Sequence, residues 1–210
     1  MMTIRKLTVL AAGLSQPSST RLLADRLTDA VVARLRDVHG VDVELNVVEL
    51  RDVAKDVTNN LITGFPSPKL ESVIEQVTHA DGLIVATPIF SGSYSGMFKS
   101  FIDVLDPKSL DGMPVLLGAT GGTARHSLAI EHALRPLFSY LHAVAVPTGV
   151  YAAAEDWGSS TDSVGALTSR IERAAGELAA LVAVSDRSQQ IRDPFALDSS
   201  FSVTGGFSAA

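Results

Sequence analysis

At 210 residues and 22.1 kDa, the chain has room for one domain, or one domain with an appendage. Its 46% hydrophobic and 19% charged residues exclude disorder as the principal state. The 17 Lys and Arg against 23 Asp and Glu leave a formal charge of −6, which argues against general nucleic-acid or membrane-surface binding. The lack of cysteine excludes disulfides, thiolate metal sites, iron–sulfur clusters and cysteine nucleophiles together.

Arg5-Lys6 followed by Leu7–Leu14 has the outline of a signal peptide, but the apolar run is short and reads better as a buried first strand. No stretch approaches the roughly 18–20 apolar residues of a membrane helix, so the expectation is a soluble, cytoplasmic protein. Leu7–Ala12 has the continuous apolar character of a strand covered on both faces. Leu23, Leu27, Val31, Leu35 and Val38 then recur at helical spacing and predict a helix over about 19–38, stopped by Gly40. Val41–Leu50 alternates and predicts a second strand. Residues 51–68, with Asn59-Asn60, Gly64, Pro66 and Pro68, read as a loop. Leu70, Val73, Ile74 and Val77 mark the next helix.

Gly82–Ala86 is the third predicted strand, followed by a helix carrying Met97, Phe98, Phe101, Ile102 and Leu105. Pro114–Ala119 is the fourth, followed by a helix with Ile130, Leu134, Phe138 and Leu141. Ala143–Val150 is the fifth, and a last helix carries Leu167, Ile171, Ala174, Leu178, Leu181 and Val182. Five strands alternating with helices predict a doubly wound parallel α/β sheet, flavodoxin-like, in the order 2-1-3-4-5. Residues 1–184 are expected to form this domain. Residues 185–210, Ser-rich with isolated Phe195, Phe201 and Phe207, are expected to be a polar tail or an arm.

Ligands of such sheets bind beyond the carboxyl ends of the strands, where strand order reverses. Three turns meet there. After strand one, Ser15, Ser18, Ser19 and Thr20 place four hydroxyls within six residues at a helix N-terminus. One hydroxyl suffices for a cap; four describe an anion site, with Gln16 and Arg21 beside them. The Walker sequence and the dinucleotide fingerprint are both missing, so the pattern favours a mononucleotide. Glu49, near the end of strand two, reads as a solvated strand end. After strand three, Pro88, Ile89, Phe90 and Ser91 offer an apolar surface among small residues, suited to a flat ring. After strand four, Thr120, Gly121, Gly122 and Thr123 offer close backbone approach, with donors for the polar edge of a flavin. No two histidines stand at metal-ligand spacing, and no metal is expected.

Thr87-Pro88-Ile89-Phe90, Ser93-Tyr94-Ser95-Gly96 and above all Ala119–Leu137 resemble the NAD(P)H-dependent FMN reductases of the flavodoxin-like superfamily, in particular those that supply luciferase-like and alkanesulfonate-type monooxygenases. The similarity spans about residues 4–183. It implies FMN and NADPH or NADH as ligands, a homodimer or homotetramer, and a flavin-dependent monooxygenase as partner. Ser15, Ser18, Ser19 and Thr20 would take the phosphate, Pro88 through Ser91 the ring, and Thr120 through Thr123 its pyrimidine edge. Many relatives carry an Arg early in the phosphate turn where Gln16 stands here, and Arg21 is the expected compensation. Some relatives carry an inserted Tyr where this chain has His132. Pro136 lacks an N–H, so a kink or single-turn π-bulge is expected near 132.

Hydride transfer needs proximity rather than an acid or base, and no catalytic side chain is expected. Two alternatives share the fold: a quinone, azo or chromate reductase that retains FMN, and a non-enzymatic flavodoxin-like electron carrier. Trp157 is open between covering a ring and packing a loop.

Overall fold

A computed structural model of the chain describes residues 3–157 and 161–190. β1 (Ile4–Ala11) is the pivot of the sheet. It pairs in parallel with β2 (Asp42–Glu49) on one side and β3 (Gly82–Phe90) on the other. β3 continues to β5 (Pro114–Gly121), and β5 to β6 (Val144–Ala145) and β7 (Val150–Ala153), all parallel. Among the described residues only β4 (Ser93–Tyr94) is antiparallel, folded back on the end of β3. With β6 and β7 taken as one broken strand, the order is the expected 2-1-3-4-5, and strand order reverses between β1 and β3.

Side-chain alternation along β1 feeds two cores. Leu7, Val9 and Ala11 meet α1 (Ser19–His39) and α6 (Thr161–Val184) on one face. Leu10 and Ala12 meet α3 (Pro68–Thr78), α4 (Gly96–Asp103) and α5 (Arg135–Tyr140) on the other. Helix α1 ends as expected: Gly40 takes the left-handed conformation, φ 63°, and its N–H returns to the Arg36 carbonyl.

Three expectations need correction. Residues 51–68 are not a loop: a single turn over Leu50–Val53 leads into α2 (Ala54–Thr63). Val53 and Val57, four apart, are both buried, and the terminator is Gly64 at φ 79°, not Asn59-Asn60. The fifth strand is broken. Val115 pairs with Ala145 but Gly118 with Val150, so residues 146–149 carry two more residues than β5 can pair. Pro147 has no N–H for a ladder, and Arg135 occupies the freed carbonyls of Val146 and Pro147, each at 2.9 Å. Finally, the third strand runs past Ala86 to Phe90. Ser91 at φ 50° and Gly92 at φ 84° then form the two-residue turn of a hairpin, in which Phe90 faces Ser93.

The helix after β5 opens with a π-helical turn, Ile130–Leu134, whose last hydrogen bond runs from the Arg135 N–H to the Ile130 carbonyl. That is the local answer to Pro136, whose missing N–H leaves no standard bond for the His132 carbonyl. Among the described residues, no helix is long and apolar enough to cross a membrane.

At the pole of the sheet opposite the carboxyl ends, the chain closes on itself through α7 (Arg187–Gln190). Arg187 donates to the carbonyls of Thr78, Ala80, Ser109 and Asp111. Asp81, fully buried, accepts from the Lys6 N–H and from both the N–H and hydroxyl of Ser188, all at 2.9 Å. Phe195, Phe201 and Phe207 lie outside the described residues.

Candidate functional site

A concavity of about 540 Å³ lies at the carboxyl ends of β1, β3 and β5, where strand order reverses. Its wall is formed by Gly13, Leu14, Ser15, Ser19 and Thr20 from the first turn, and Pro88, Ile89 and Phe90 from the end of β3. Thr120, Gly121 and Gly122 come from the end of β5, and Ala154 and Trp157 from the turn after β7. Nine of the fourteen sequence-predicted site residues therefore converge: Ser15, Ser19, Thr20, Pro88, Ile89, Phe90, Thr120, Gly121 and Gly122.

The other five are not part of this wall. Ser18 is the N-cap of α1, its hydroxyl accepting from the Arg21 N–H at 3.2 Å. It also fills the space in front of Gly13, where a Cβ would lie 2.0 Å from the Ser18 hydroxyl. Ser91 is the hairpin turn, and the Thr123 carbonyl is held from below by Tyr151. Gln16 faces Arg51. Arg21 is turned away from the cleft: its Nε bonds Asp25 at 2.7 Å and its Nη1 bonds Glu49 at 2.8 Å. Asp25 first, then Glu49, hold the Arg21 guanidinium above its ordinary pKa. Arg21 thus braces the helix start rather than replacing a cation in the turn.

At the mouth, the buried Thr20 and Thr120 hydroxyls bond each other at 2.7 Å. This bond ties the first turn of α1 to the end of β5, so the two walls are set by one contact. Glu49 is a correction: its side chain is 18% exposed, and its two carboxylate oxygens hold Arg21 at 2.8 Å and Arg51 at 2.6 Å. It is the hinge pin of an ion-pair bracket beside the mouth, not a solvated strand end.

At the far end, backbone shape dominates. Thr87, fully buried, accepts from the Ser95 N–H at 3.1 Å, and Ser95 in turn caps α4 by accepting from Phe98. These bonds hold the Phe90–Ser93 hairpin, with half-exposed Phe90 at the cleft wall. Under the second wall, Tyr151 donates to the Thr123 carbonyl at 2.8 Å. Gly121 is required by this arrangement, since a Cβ there would fall 2.0 Å from the Tyr151 hydroxyl oxygen. Burial pushes the Tyr151 phenol above its ordinary pKa and keeps it a donor.

The turn after β7 is pinned by Asp156, which accepts from the Ala153 N–H at 2.8 Å and from Arg170 at 2.9 Å. Trp157 therefore reaches the cleft, with the Arg26 guanidinium 4.9 Å from its ring centroid. Tyr151, Asp156 and Arg170 were invisible in the sequence. Their spacing has no short-range signature, and they meet only because β7, its turn and α6 pack together.

A parallel sheet in this order, with its cleft at the reversal of strand order, defines the class: a flavodoxin-like α/β protein. The chain belongs to the NADPH-dependent FMN reductase family, whose model matches residues 5–158. It is 37% identical over 176 residues to the FMN reductase (NADPH) of Pseudomonas aeruginosa, covering 84% of this chain and 91% of that protein. It is 38% identical over 176 residues to the NADH-dependent FMN reductase SfnF of Pseudomonas fluorescens, with the same coverage of 84% and 91%. Among solved structures, an oxidoreductase from Corynebacterium diphtheriae superposes with a TM-score of 0.81 at 46% identity, covering 85% of this chain and 97% of that one. The apo form of the NADH:FMN oxidoreductase EmoB superposes with a TM-score of 0.69 at 27% identity, covering 81% and 88%.

Proposed function

We propose that this protein is an NAD(P)H-dependent FMN reductase that binds flavin across the cleft, phosphate at the α1 end and ring against the ends of β3 and β5. The observation that carries the assignment of ends is their difference in chemistry. One end collects hydroxyls around a helix N-terminus, which suits a dianion. The other presents Pro88, Ile89, Phe90 and two glycines, which suits a planar heterocycle. The cleft volume of about 540 Å³ is within the range of small-molecule sites.

In this reading Ser15 and Ser19 bond the phosphate, with Ser18 and Thr20 holding the turn in register. Phe90 and Ile89 seat the ring, and the Thr120–Thr123 backbone meets its polar edge. Held by these residues, FMN would supply the acceptor for a hydride from NAD(P)H. The protein contributes alignment, exclusion of water and donors for the negative charge that reduction places on the ring. No side-chain acid or base is needed.

Ligand binding is exposed on one side, as a flavin handed onward requires, and a flavin-dependent monooxygenase is the acceptor. The relatives support the reductase activity: the SfnF protein of Pseudomonas fluorescens is an NADH-dependent FMN reductase and the Pseudomonas aeruginosa relative an NADPH-dependent one. A homodimer or homotetramer in the cytoplasm completes the reading.

The test mixes the protein with NADPH or NADH and excess FMN, FAD or riboflavin, and follows flavin absorbance. Many turnovers on free FMN are expected. Reduction of stoichiometric bound flavin alone, followed by quinone or azo reduction, would move the protein to a retained-flavin reductase. No NAD(P)H oxidation with any acceptor would leave an electron carrier.

A further inference from the structure

We propose that Arg51 is a positioning residue for phosphate recognition: from outside the cleft it holds the Ser15–Gln16 turn in the shape that grips the flavin phosphate. The proposal rests on the phosphate end being where the preceding section puts it. Leu14 through Pro17 form an exposed apex, and the Ser15 hydroxyl bonds only locally, to the Pro17 carbonyl at 3.1 Å. Among the described residues, the bonds that tie Ser15 and Gln16 to another element all run to Arg51. Its Nη1 donates to the Ser15 carbonyl at 3.3 Å. The Gln16 amide, with its oxygen turned toward Arg51, accepts from Nη1 at 2.9 Å and Nη2 at 2.6 Å. Nη2 also forms an ion pair with the Glu49 carboxylate at 2.6 Å.

A guanidinium is the group this geometry demands, because its planar fork serves two carbonyl acceptors and a carboxylate at once. An ammonium in its place reaches fewer of them. Arg51 itself does not line the cleft, whereas Ser15 does, so the residue acts through the turn and not on the ligand. Glu49 fixes Arg51 in turn, and through its other oxygen fixes Arg21 in the first turn of α1. Strand β2, which contributes no wall to the cleft, thereby sets the distance between the apex and the helix N-terminus. The turn is braced from an ion-paired strand end, so its shape does not depend on the ligand being present.

A flavin without a phosphate makes no use of this shape. The readout is therefore a ratio, KM for FMN over KM for riboflavin, measured in steady state with saturating NAD(P)H. In R51M the ratio is expected to rise about tenfold, the worth of one charge-assisted hydrogen bond, with the loss falling on KM for FMN rather than on kcat. R51K, which keeps the charge but not the fork, is expected to lie between R51M and wild type. Equal rises in both KM values, or a wild-type ratio, would overturn the proposal. The double variant S15A/S19A, which removes hydroxyls that line the cleft, separates the two levels. If it moves the ratio and R51M does not, the role of Arg51 falls and the phosphate end stands. If neither moves it, the phosphate end falls too. Should R51M fail to fold, a wild-type ratio in R51K is the overturning result.

Discussion

The two ends of the cleft are built from different material. The mouth beside α1 is side-chain work: serine hydroxyls, the Thr20–Thr120 bond, and a bracket in which Glu49 holds Arg21 and Arg51. The ring end is backbone work: a hairpin with two positive-φ residues, a glycine pair, and buried Thr87 and Tyr151 acting only on main-chain groups. Side chains at the mouth can change one at a time, and each change is felt by a ligand that carries a phosphate. Backbone at the other end moves as a unit, and any flavin feels it.

The largest expected effect therefore lies at the ring end. Gly121→Ala forces a Cβ to within 2.0 Å of the Tyr151 hydroxyl, and that side chain cannot retreat without releasing the Thr123 carbonyl. Overpacking of this kind costs roughly 1–3 kcal/mol, and turnover of FMN and riboflavin should fall together. Adding Tyr151→Phe removes the clashing oxygen and should recover part of the loss. A variant that harms FMN alone would break the division between the two ends.

Next comes S15A/S19A at the mouth. Loss of two hydroxyls that face a dianion should raise KM for FMN relative to riboflavin by at least the roughly 10–100-fold that a single bond to a charged group, at about 1.5–3 kcal/mol, is worth. Ser18 and Thr20 are poorer targets for this purpose, since Ser18 caps the helix and Thr20 is committed to Thr120. Thr20→Val should be felt as stability instead, about 1 kcal/mol with one hydroxyl left unpaired, read as a lower denaturation midpoint.

The smallest effect is one of pH and lies away from both ends. Arg135 holds the Glu131 carboxyl below its ordinary value of 4.5, chiefly by their hydrogen bonds, at the π-helical turn. A carboxyl with a depressed folded pKa contributes stability that is fully present above its unfolded value and is lost as pH falls through the folded one. Glu131→Gln should accordingly lower the unfolding midpoint at neutral pH by a small amount, because the pair is half exposed, and the difference from wild type should vanish in acid. A difference that persists in acid would show that the pair stabilises by packing instead.

Legibility in the sequence followed the same division. The parallel strands, their order, α1 with its Gly40 stop and the π-helical turn demanded by Pro136 were all readable, since each rests on local pattern or covalent chemistry. The converging wall residues were readable because strand ends cluster by topology. What failed was context. Asn59-Asn60 carried a breaker signal that the burial of Val53 and Val57 overrode. Pro147 inside the fifth strand had no visible partner until Arg135 was seen to fill its carbonyl. The roles of Glu49, Arg51, Tyr151 and Arg170 depend on elements far apart in the chain, and nothing in their neighbourhoods announces them.

Trp157 is the chain's one tryptophan and lines the cleft, so its fluorescence reports occupancy directly. Titration of the protein with FMN and with riboflavin, following that emission, measures both affinities with the same probe. A flavin anchored by its phosphate at the α1 end predicts that both ligands quench to the same final level, with FMN binding at least about tenfold more tightly. Equal affinities, or an emission indifferent to either ligand, would contradict it.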